Sequence, residues 1–108
     1  MATATFVQRG ENIDYVAAAD TAYMEVVPLA ARIGVALEAI AKGATGTVTL
    51  TGVFRLPAAT GTLAVGAEVY WDTKAGSITG TKGDTTVFAG YTTEAKPESG
   101  ATVAVRIG

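Results

Sequence analysis

The sequence predicts an all-β fold, a compact single-domain barrel or sandwich of short antiparallel strands with an extended N-terminal arm. Apolar and polar residues alternate in several short segments, which is the period of a strand with one buried and one solvated face. Turns rich in glycine, a residue that occurs 13 times, separate these segments at regular spacing, as is typical of a barrel or sandwich. The length of 108 residues fits one domain, over residues 1–108.

The N-terminal segment, residues 1–10, is predicted to form either the arm or the first strand of the barrel. Thr3, Thr5, Phe6 and Val7 are residues that favour extended backbone. Such residues suit a first strand, but chain ends are often frayed, which suits an arm. Both alternatives remain open.

Two short strands are predicted to follow the arm. Residues 13–16 alternate between apolar and polar, and a loop of small residues comes next. Residues 25–29 form the second strand. Because Pro28 has no N–H to donate, it places part of this strand at a sheet edge or a bulge.

Residues 29–42 are compatible with either a helix or a strand. Leu29, Ile33 and Leu37 fall at helical spacing. Gly34, however, would cost a helix about 1 kcal/mol relative to alanine. We favour a buried strand over residues 32–36, with a helical turn near residues 38–40.

The chain is organised around residues 48–57. The alternation that begins at Val48 is interrupted at Gly52, resumes afterwards, and ends at Pro57. A glycine inside a strand pattern usually marks a bulge or a close approach of two backbones. The pattern predicts one long strand that bends at Gly52 and supplies the core.

The second half of the chain is predicted to contain a hairpin and two longer strands. Residues 68–72 and 77–79 form the hairpin around a loop at 73–76. Residues 86–92 form a strand that Gly90 interrupts. Residues 102–107 alternate cleanly, so that Val103, Val105 and Ile107 face inward and Thr102 and Arg106 face outward.

Tyr70 and Trp71 are neighbours on one predicted strand, so they point to opposite faces. Aromatic side chains dominate the energetics of cores and of interfaces alike. We expect Trp71 to lie in the core. The outward Tyr70 is then a candidate interface residue.

The residue inventory argues against an enzyme. The chain has no histidine and no cysteine, which removes the commonest general base, the commonest metal ligand and any thiolate. Gly43 and Gly46 are too close together for a phosphate-binding loop, and no lysine follows them. The acidic residues are scattered along the chain and do not form a cluster of metal ligands. We therefore expect no catalytic residues, no cofactor and no metal site.

One constellation could still carry chemistry. Glu68 and Asp72 flank Tyr70 on the same face of a strand, and an aromatic residue between two acids can resemble a sugar site. The alternative is a half-buried aromatic strand with solvated acids at its ends. We favour that alternative.

The charge balance bears on partners and location. A net charge of −2 argues against binding to a phosphate backbone, which needs a basic patch. Only 17% of the residues are charged, a low share for a soluble monomer, so we expect oligomers. Neither a signal peptide nor a membrane span is evident, and we expect synthesis in the cytoplasm.

Several short motifs occur in a familiar order: Phe6-Val7-Gln8, Ile13-Asp14-Tyr15, Gly-Val-Phe-Arg-Leu-Pro at 52–57, Gly-Ala-Glu-Val-Tyr-Trp-Asp at 66–72, and the strand at 103–107. In this order and spacing the chain resembles a family of small proteins of tailed bacteriophages and prophages. Members with an assigned role are capsid decoration (cement) proteins, although many are labelled as recombinases of the RecA/RadA type. That label finds no support here, since a recombinase needs an ATP site.

The resemblance implies a structural virion protein on the outer surface of the head, which bridges copies of the phage major capsid protein. It is expected to form a homotrimer, with a dimer as the alternative, and to bind neither nucleic acid nor membrane. The N-terminal arm is expected to become ordered on the capsid. The candidate capsid or subunit interface residues are Phe6, Val7, Gln8, Arg55 and Tyr70.

Other functions remain open. The chain could be another phage structural protein, such as a head-fibre, head-completion or tail-tube component. A small glycan-active enzyme built on Glu68 and Asp72 is a further alternative.

Overall fold

The computed structural model describes residues 2–108, which form nine β-strands in two antiparallel sheets. This confirms the all-β class, and two separate sheets fit the sandwich alternative. The strands are β1 (Asn12–Val16), β2 (Val26–Pro28), β3 (Ile33–Ala36), β4 (Thr45–Thr49), β5 (Gly52–Pro57), β6 (Glu68–Asp72), β7 (Ser77–Thr79), β8 (Thr86–Thr92) and β9 (Thr102–Ile107).

The smaller sheet has the strand order β1-β4-β3-β2. Pro28 lies in the edge strand β2, as predicted, where its missing N–H breaks no ladder. β3 is buried on both faces. A side chain at Gly34 would not fit, because a Cβ there would lie 2.5 Å from Cγ1 of Val48 and 3.0 Å from the carbonyl oxygen of Thr49.

The larger sheet has the order β5-β9-β8-β6-β7. A parallel bridge between Ala58, just after β5, and Ile78 in β7 brings its two edges together at one end. β3 of the smaller sheet packs against it through Ile33 and Val35. The buried residues of this main core are Ile33, Val35, Leu56, Val69, Trp71, Ile78, Ala89, Val103, Val105 and Ile107.

The prediction of one bent strand over residues 48–57 is wrong. β4 belongs to the smaller sheet and β5 to the larger one, and Leu50 and Thr51 carry the chain between them. Gly52 starts β5 with φ of 133°, a conformation that favours glycine. Alternation has the same period before and after Gly52, so the pattern could not distinguish a bend from a change of sheet.

Residues 29–42 contain the favoured strand, since β3 covers four of the five residues predicted to be extended. The helical turn near residues 38–40 is wrong. Ile40 instead forms an antiparallel bridge with Thr21, whose N–H donates to the Ile40 carbonyl at 2.8 Å. The Glu38 carboxylate accepts the N–H of Thr47 at 3.0 Å. Pairing with distant segments therefore overrides local helical spacing.

The predictions for the second half are confirmed. β6 and β7 form the hairpin, β8 and β9 have the expected extents, and Trp71 is buried whereas Tyr70 is only half-buried. Residues 2–10 form no strand, and β1 begins at Asn12. Met1, at the start of the predicted arm, lies outside the described residues. The extent of the domain, residues 1–108, stays a prediction.

Candidate functional site

The outer face of the larger sheet carries a cluster of three aromatic side chains. The ring centroids of Tyr70 and Phe88 are 5.9 Å apart with an interplanar angle of 72°, and those of Phe88 and Tyr91 are 5.7 Å apart at 76°. Such edge-to-face contacts are favourable beyond the area they bury. Phe88 nevertheless remains 36% exposed and Tyr91 47% exposed. We refer to Tyr70, Phe88 and Tyr91 with their flanking residues Val53, Glu68 and Arg106 as the aromatic face.

A β-bulge in β8 creates this cluster. Val69 pairs with Gly90 and Tyr70 pairs with Phe88, so Ala89 has no partner on β6. Ala89 and Gly90 are consequently buried in succession, and Phe88 and Tyr91 both point outward although they are three residues apart. A Cβ at Gly90 would overlap the carbonyl oxygen of Arg106, so only glycine fits.

Charged residues of opposite sign flank Tyr91. Tyr91 lies opposite Glu68 on β6 and opposite Arg106 on β9, and Arg106 in turn lies opposite Val53 on β5. Across the strands the order is therefore Val53, Arg106, Tyr91, Glu68. Among residues 2–108 the ion pairs are Arg9–Glu11 and Arg55–Glu94, so Arg106 and Glu68 have no ionic partner within the described chain.

Arg55 and Tyr70, two of the candidates from sequence, lie on the same outer surface. Arg55 makes a two-pronged contact with Glu94: its Nη2 is 2.9 Å from Oε1 and its Nη1 is 3.4 Å from Oε2. Both side chains are exposed, so the pair contributes roughly 0–1 kcal/mol. The Tyr70 hydroxyl donates to Oε2 of Glu68 at 3.5 Å.

The other candidates lie in the arm. Phe6 is 81% exposed, Val7 is 85% exposed and Gln8 is exposed as well. In the part of the chain that is described, no backbone hydrogen bond joins residues 2–10 to the strands. The arm leads directly into β1 of the smaller sheet, so these three residues belong to a surface element separate from the aromatic face.

The loop before β2 presents a third exposed feature, which the sequence analysis missed. Tyr23 is 67% exposed, and Met24 beside it has a φ of +66°. Its N–H donates to the Ala36 carbonyl at 2.7 Å, which holds the loop against β3. A non-glycine residue with this φ is uncommon and costs conformational energy.

Of the two acids around Tyr70, Asp72 accepts several hydrogen bonds at the β6–β7 hairpin. The Oδ1 atom of Asp72 accepts hydrogen bonds from the N–H groups of Ala75 and Lys74 and from the Thr85 hydroxyl, at 3.1, 2.9 and 3.0 Å. These bonds, that of Ala75 first, lower the pKa of Asp72. A general acid needs a raised pKa, so the environment of Asp72 does not suit that role, and its hydrogen bonds hold the loop of the β6–β7 hairpin.

Other possible sites offer little chemistry. A pocket of about 290 Å³ lies between residues 59–63 and 78–81, and no titratable side chain lines it. No three acidic residues among residues 2–108 converge as metal ligands. The same residues contain no helix long and apolar enough to cross a membrane.

Within the aromatic face, sequence reasoning did not single out Phe88 and Tyr91, and it predicted Arg106 to face outward without naming it as a contact residue. Phe88 and Tyr91 have opposite parity in sequence, so regular alternation places only one of them outside. The signal that could have found them is Gly90, because a glycine between two aromatics in a strand indicates a bulge that shifts the parity.

A search of known families gives one match. The model of the family described as "Phage cement protein" matches residues 7–107. No curated protein and no solved structure matches the chain.

Proposed function

Since the chain belongs to the phage cement protein family, which gives it a structural role on a phage capsid, we propose that it binds the outer surface of the head and stabilises the lattice of the major capsid protein. The observation that carries the finer proposal is the exposed apolar arm. Phe6 and Val7 are almost fully solvated, and residues 2–10 have no backbone partner within the described chain. Such a segment can add a strand to the exposed edge of a sheet in another protein.

The energetics of the arm favour binding by several arms at once. Burying Phe6 and Val7 contributes roughly 1.5–3 kcal/mol each. Ordering the backbone costs roughly 1–2 kcal/mol per residue. At that cost per residue, ordering residues 2–8 outweighs the gain from two buried side chains, so a single arm binds weakly. An oligomer, either a trimer or a dimer, that docks several arms gains roughly 10²–10⁴ in avidity.

Arg55 and Tyr70 provide a second contact surface. Both lie on the outside of the larger sheet, away from the core, and the Arg55–Glu94 pair is open to solvent. We assign this surface to contacts with the capsid or with a neighbouring subunit. A rigid sheet is suited to this role because its contact residues lose little conformational freedom on binding.

Deletion of residues 2–8 tests the arm. We expect occupancy on undecorated heads to fall sharply, while circular dichroism remains that of the full chain because the deleted residues belong to no strand. The double variant Phe6→Ser/Val7→Ser should reproduce the loss. Its control, Thr3→Ser/Thr5→Ser, should bind normally. Unchanged occupancy of the deletion variant would reject the arm as the capsid contact.

The location within the particle separates this proposal from other structural roles. A labelled copy of the protein, imaged on negatively stained virions, should decorate the surface of the head. Label at the tail or at the neck would instead support a tail-tube or head-completion role. Absence from purified virions would contradict any structural role.

A further inference from the structure

We propose that the aromatic face binds the same face of a second copy of this chain, with a two-fold axis that runs parallel to β8 through Tyr91. The inference rests on the geometry of this face. It deepens the proposed function by naming one partner of the outer sheet surface, and it leaves the arm to contact the capsid.

The apolar part of the face is contiguous, which distinguishes it from scattered surface residues. Phe88 contacts both Tyr70 and Tyr91 through its ring, whereas exposed Val53 lies two strands from Tyr91, beyond Arg106. Single exposed apolar residues are ordinary, but a contiguous patch with polar residues at its margin marks an interaction site. Tyrosine and phenylalanine are also enriched in interface cores.

The charges on the face are self-complementary. Arg106 and Glu68 lie on opposite sides of Tyr91, one strand away in each direction. A two-fold axis parallel to β8 through Tyr91 therefore places Arg106 of one copy over Glu68 of the other, twice per dimer. An axis perpendicular to the strands would place like charges over each other. The charge pattern thus selects one of the two face-to-face arrangements.

This arrangement resembles the packing of two sheets inside a sandwich, where strand directions stay nearly aligned. The Tyr91 side chains of the two copies meet at the axis, and each Phe88 lies beside them. Because the contact uses the same surface on both copies, it closes as a dimer and does not extend into a trimer or filament. It therefore supports the dimer, the alternative to the trimer expected from the sequence analysis.

The size of the face predicts a weak dimer. Even with all five strands flat against the partner, about 4.8 Å apart and about 20 Å long, the face would cover roughly 480 Å² on each copy, below the roughly 800 Å² per partner of a standard stable interface. We therefore expect association in the micromolar range in solution. Bound neighbours on a head would strengthen it through their high effective concentration.

Charge reversal of the full chain tests the proposal. Sedimentation velocity over a micromolar concentration series at low salt should show a reversible dimer. Arg106→Glu alone and Glu68→Arg alone should each weaken association at least tenfold, because each places two pairs of like charges in contact. The double variant Arg106→Glu/Glu68→Arg should restore the dimer, since each pair forms again with reversed sign. Lys82→Glu, a charge reversal of an exposed turn residue, should have no effect.

A second pair of variants tests the apolar contact. Tyr91→Ala should weaken the dimer, whereas Tyr23→Ala, which removes an even more exposed tyrosine from the loop before β2, should not. A monomer throughout the series, a dimer unaffected by both single charge reversals, or failure of the double variant to recover would overturn the proposal. A trimer insensitive to these substitutions would overturn it as well.

The test separates this inference from the cement role. The variant lacking residues 2–8 should still dimerise, because its aromatic face is intact. Head binding by a strictly monomeric protein would reject the dimer and leave the cement role standing. A dimer that fails to occupy heads would reject the cement role and leave the face as assigned.

Discussion

The two sheets bury side chains of different size. This difference distinguishes the larger sheet, which supports a rigid contact surface, from the smaller sheet, whose adjoining segments supply adaptable contacts. The larger sheet encloses ten buried apolar residues, among them Trp71, Leu56 and Ile78. The second cluster, on the other face of the smaller sheet, has five, and two of them are alanines. β3 connects the two clusters, since Ile33 and Val35 face one and Ala36 faces the other. The smaller sheet thus depends on the larger one for much of its burial.

The outer surfaces differ in the same sense. The larger sheet carries the aromatic face on a rigid, well-packed support. The segments next to the strands of the smaller sheet supply the arm, whose described residues 2–10 make no backbone hydrogen bond to the strands, and the exposed Tyr23–Met24 loop. The well-packed core beneath the aromatic face keeps that surface rigid, whereas the arm makes few packing contacts and can adapt to a partner. One small chain therefore presents both a rigid and an adaptable contact.

The largest expected effect comes from removing the main anchor of the larger sheet. Trp71→Ala should lower the free energy of unfolding by about 3–5 kcal/mol, because it empties a large volume in a close-packed core. Guanidinium unfolding followed by circular dichroism measures the loss, and Trp71→Phe should lose less. Amide exchange at Val48 and Ala36 should accelerate as well, because the smaller sheet depends on β3. Unchanged protection there would show that the two sheets unfold independently.

A matched pair of smaller truncations compares the two clusters directly. Ile78→Val and Ile40→Val each remove one methylene from a buried isoleucine, a change that costs roughly 0.5–1.5 kcal/mol. Ile78 should lie at the upper end of that range, because strands of the larger sheet surround it. Ile40 should lie at the lower end, because the loops that hold it can close around the gap. Equal losses, or the reverse order, would contradict the proposed division between the sheets.

The smallest effect concerns the hairpin at the edge of the larger sheet. The pKa of Asp72 is lowered chiefly by the Ala75 N–H, then by the Thr85 hydroxyl and the Lys74 N–H. The folded chain therefore binds this proton less readily than the unfolded chain does. The resulting stabilisation is present above the ordinary pKa of aspartic acid, about 3.9, and is lost as the pH falls through the lowered value.

Unfolding measured as a function of pH, with Asp72→Asn as the variant, isolates this contribution. The decline in stability of the wild type below about pH 4 should be shallower in the variant. Glu98→Gln, a change at an exposed turn residue, serves as the control and should follow the wild type. An Asp72→Asn curve parallel to that of the wild type would contradict the role of the carboxylate.

Most strands could be predicted from the sequence because their signals are local. Alternation located β9, turn residues located the β6–β7 hairpin, and Pro28 located an edge. What failed depended on partners distant in sequence. Whether residues 48–57 belong to one sheet or two is decided by which strands they pair with, and the bridge of Ile40 to Thr21 replaces the expected helical turn.

The candidate surfaces were predictable only in part, for the same reason. The outward position of Tyr70 follows from alternation, but its contact with Phe88 needs the bulge. Lys96 illustrates the limit further: it is a charged residue in the segment between β8 and β9, yet it is buried, and its Nζ donates to the carbonyls of Gly61 and Pro97. Those two oxygens come together only in the folded chain.

Because Ala89 has no partner on β6, the side chains that β8 exposes depend on the number of residues in the strand as well as on their identity. At the present three-residue spacing, strict alternation would turn one of the two rings into the interior, whereas loss of one residue between Phe88 and Tyr91 would leave both on the outer face without a bulge. A one-residue insertion or deletion at this point therefore keeps both rings on one face only if the bulge is lost with it. Among related chains, a three-residue spacing of these two aromatics should occur together with a glycine that permits the bulge.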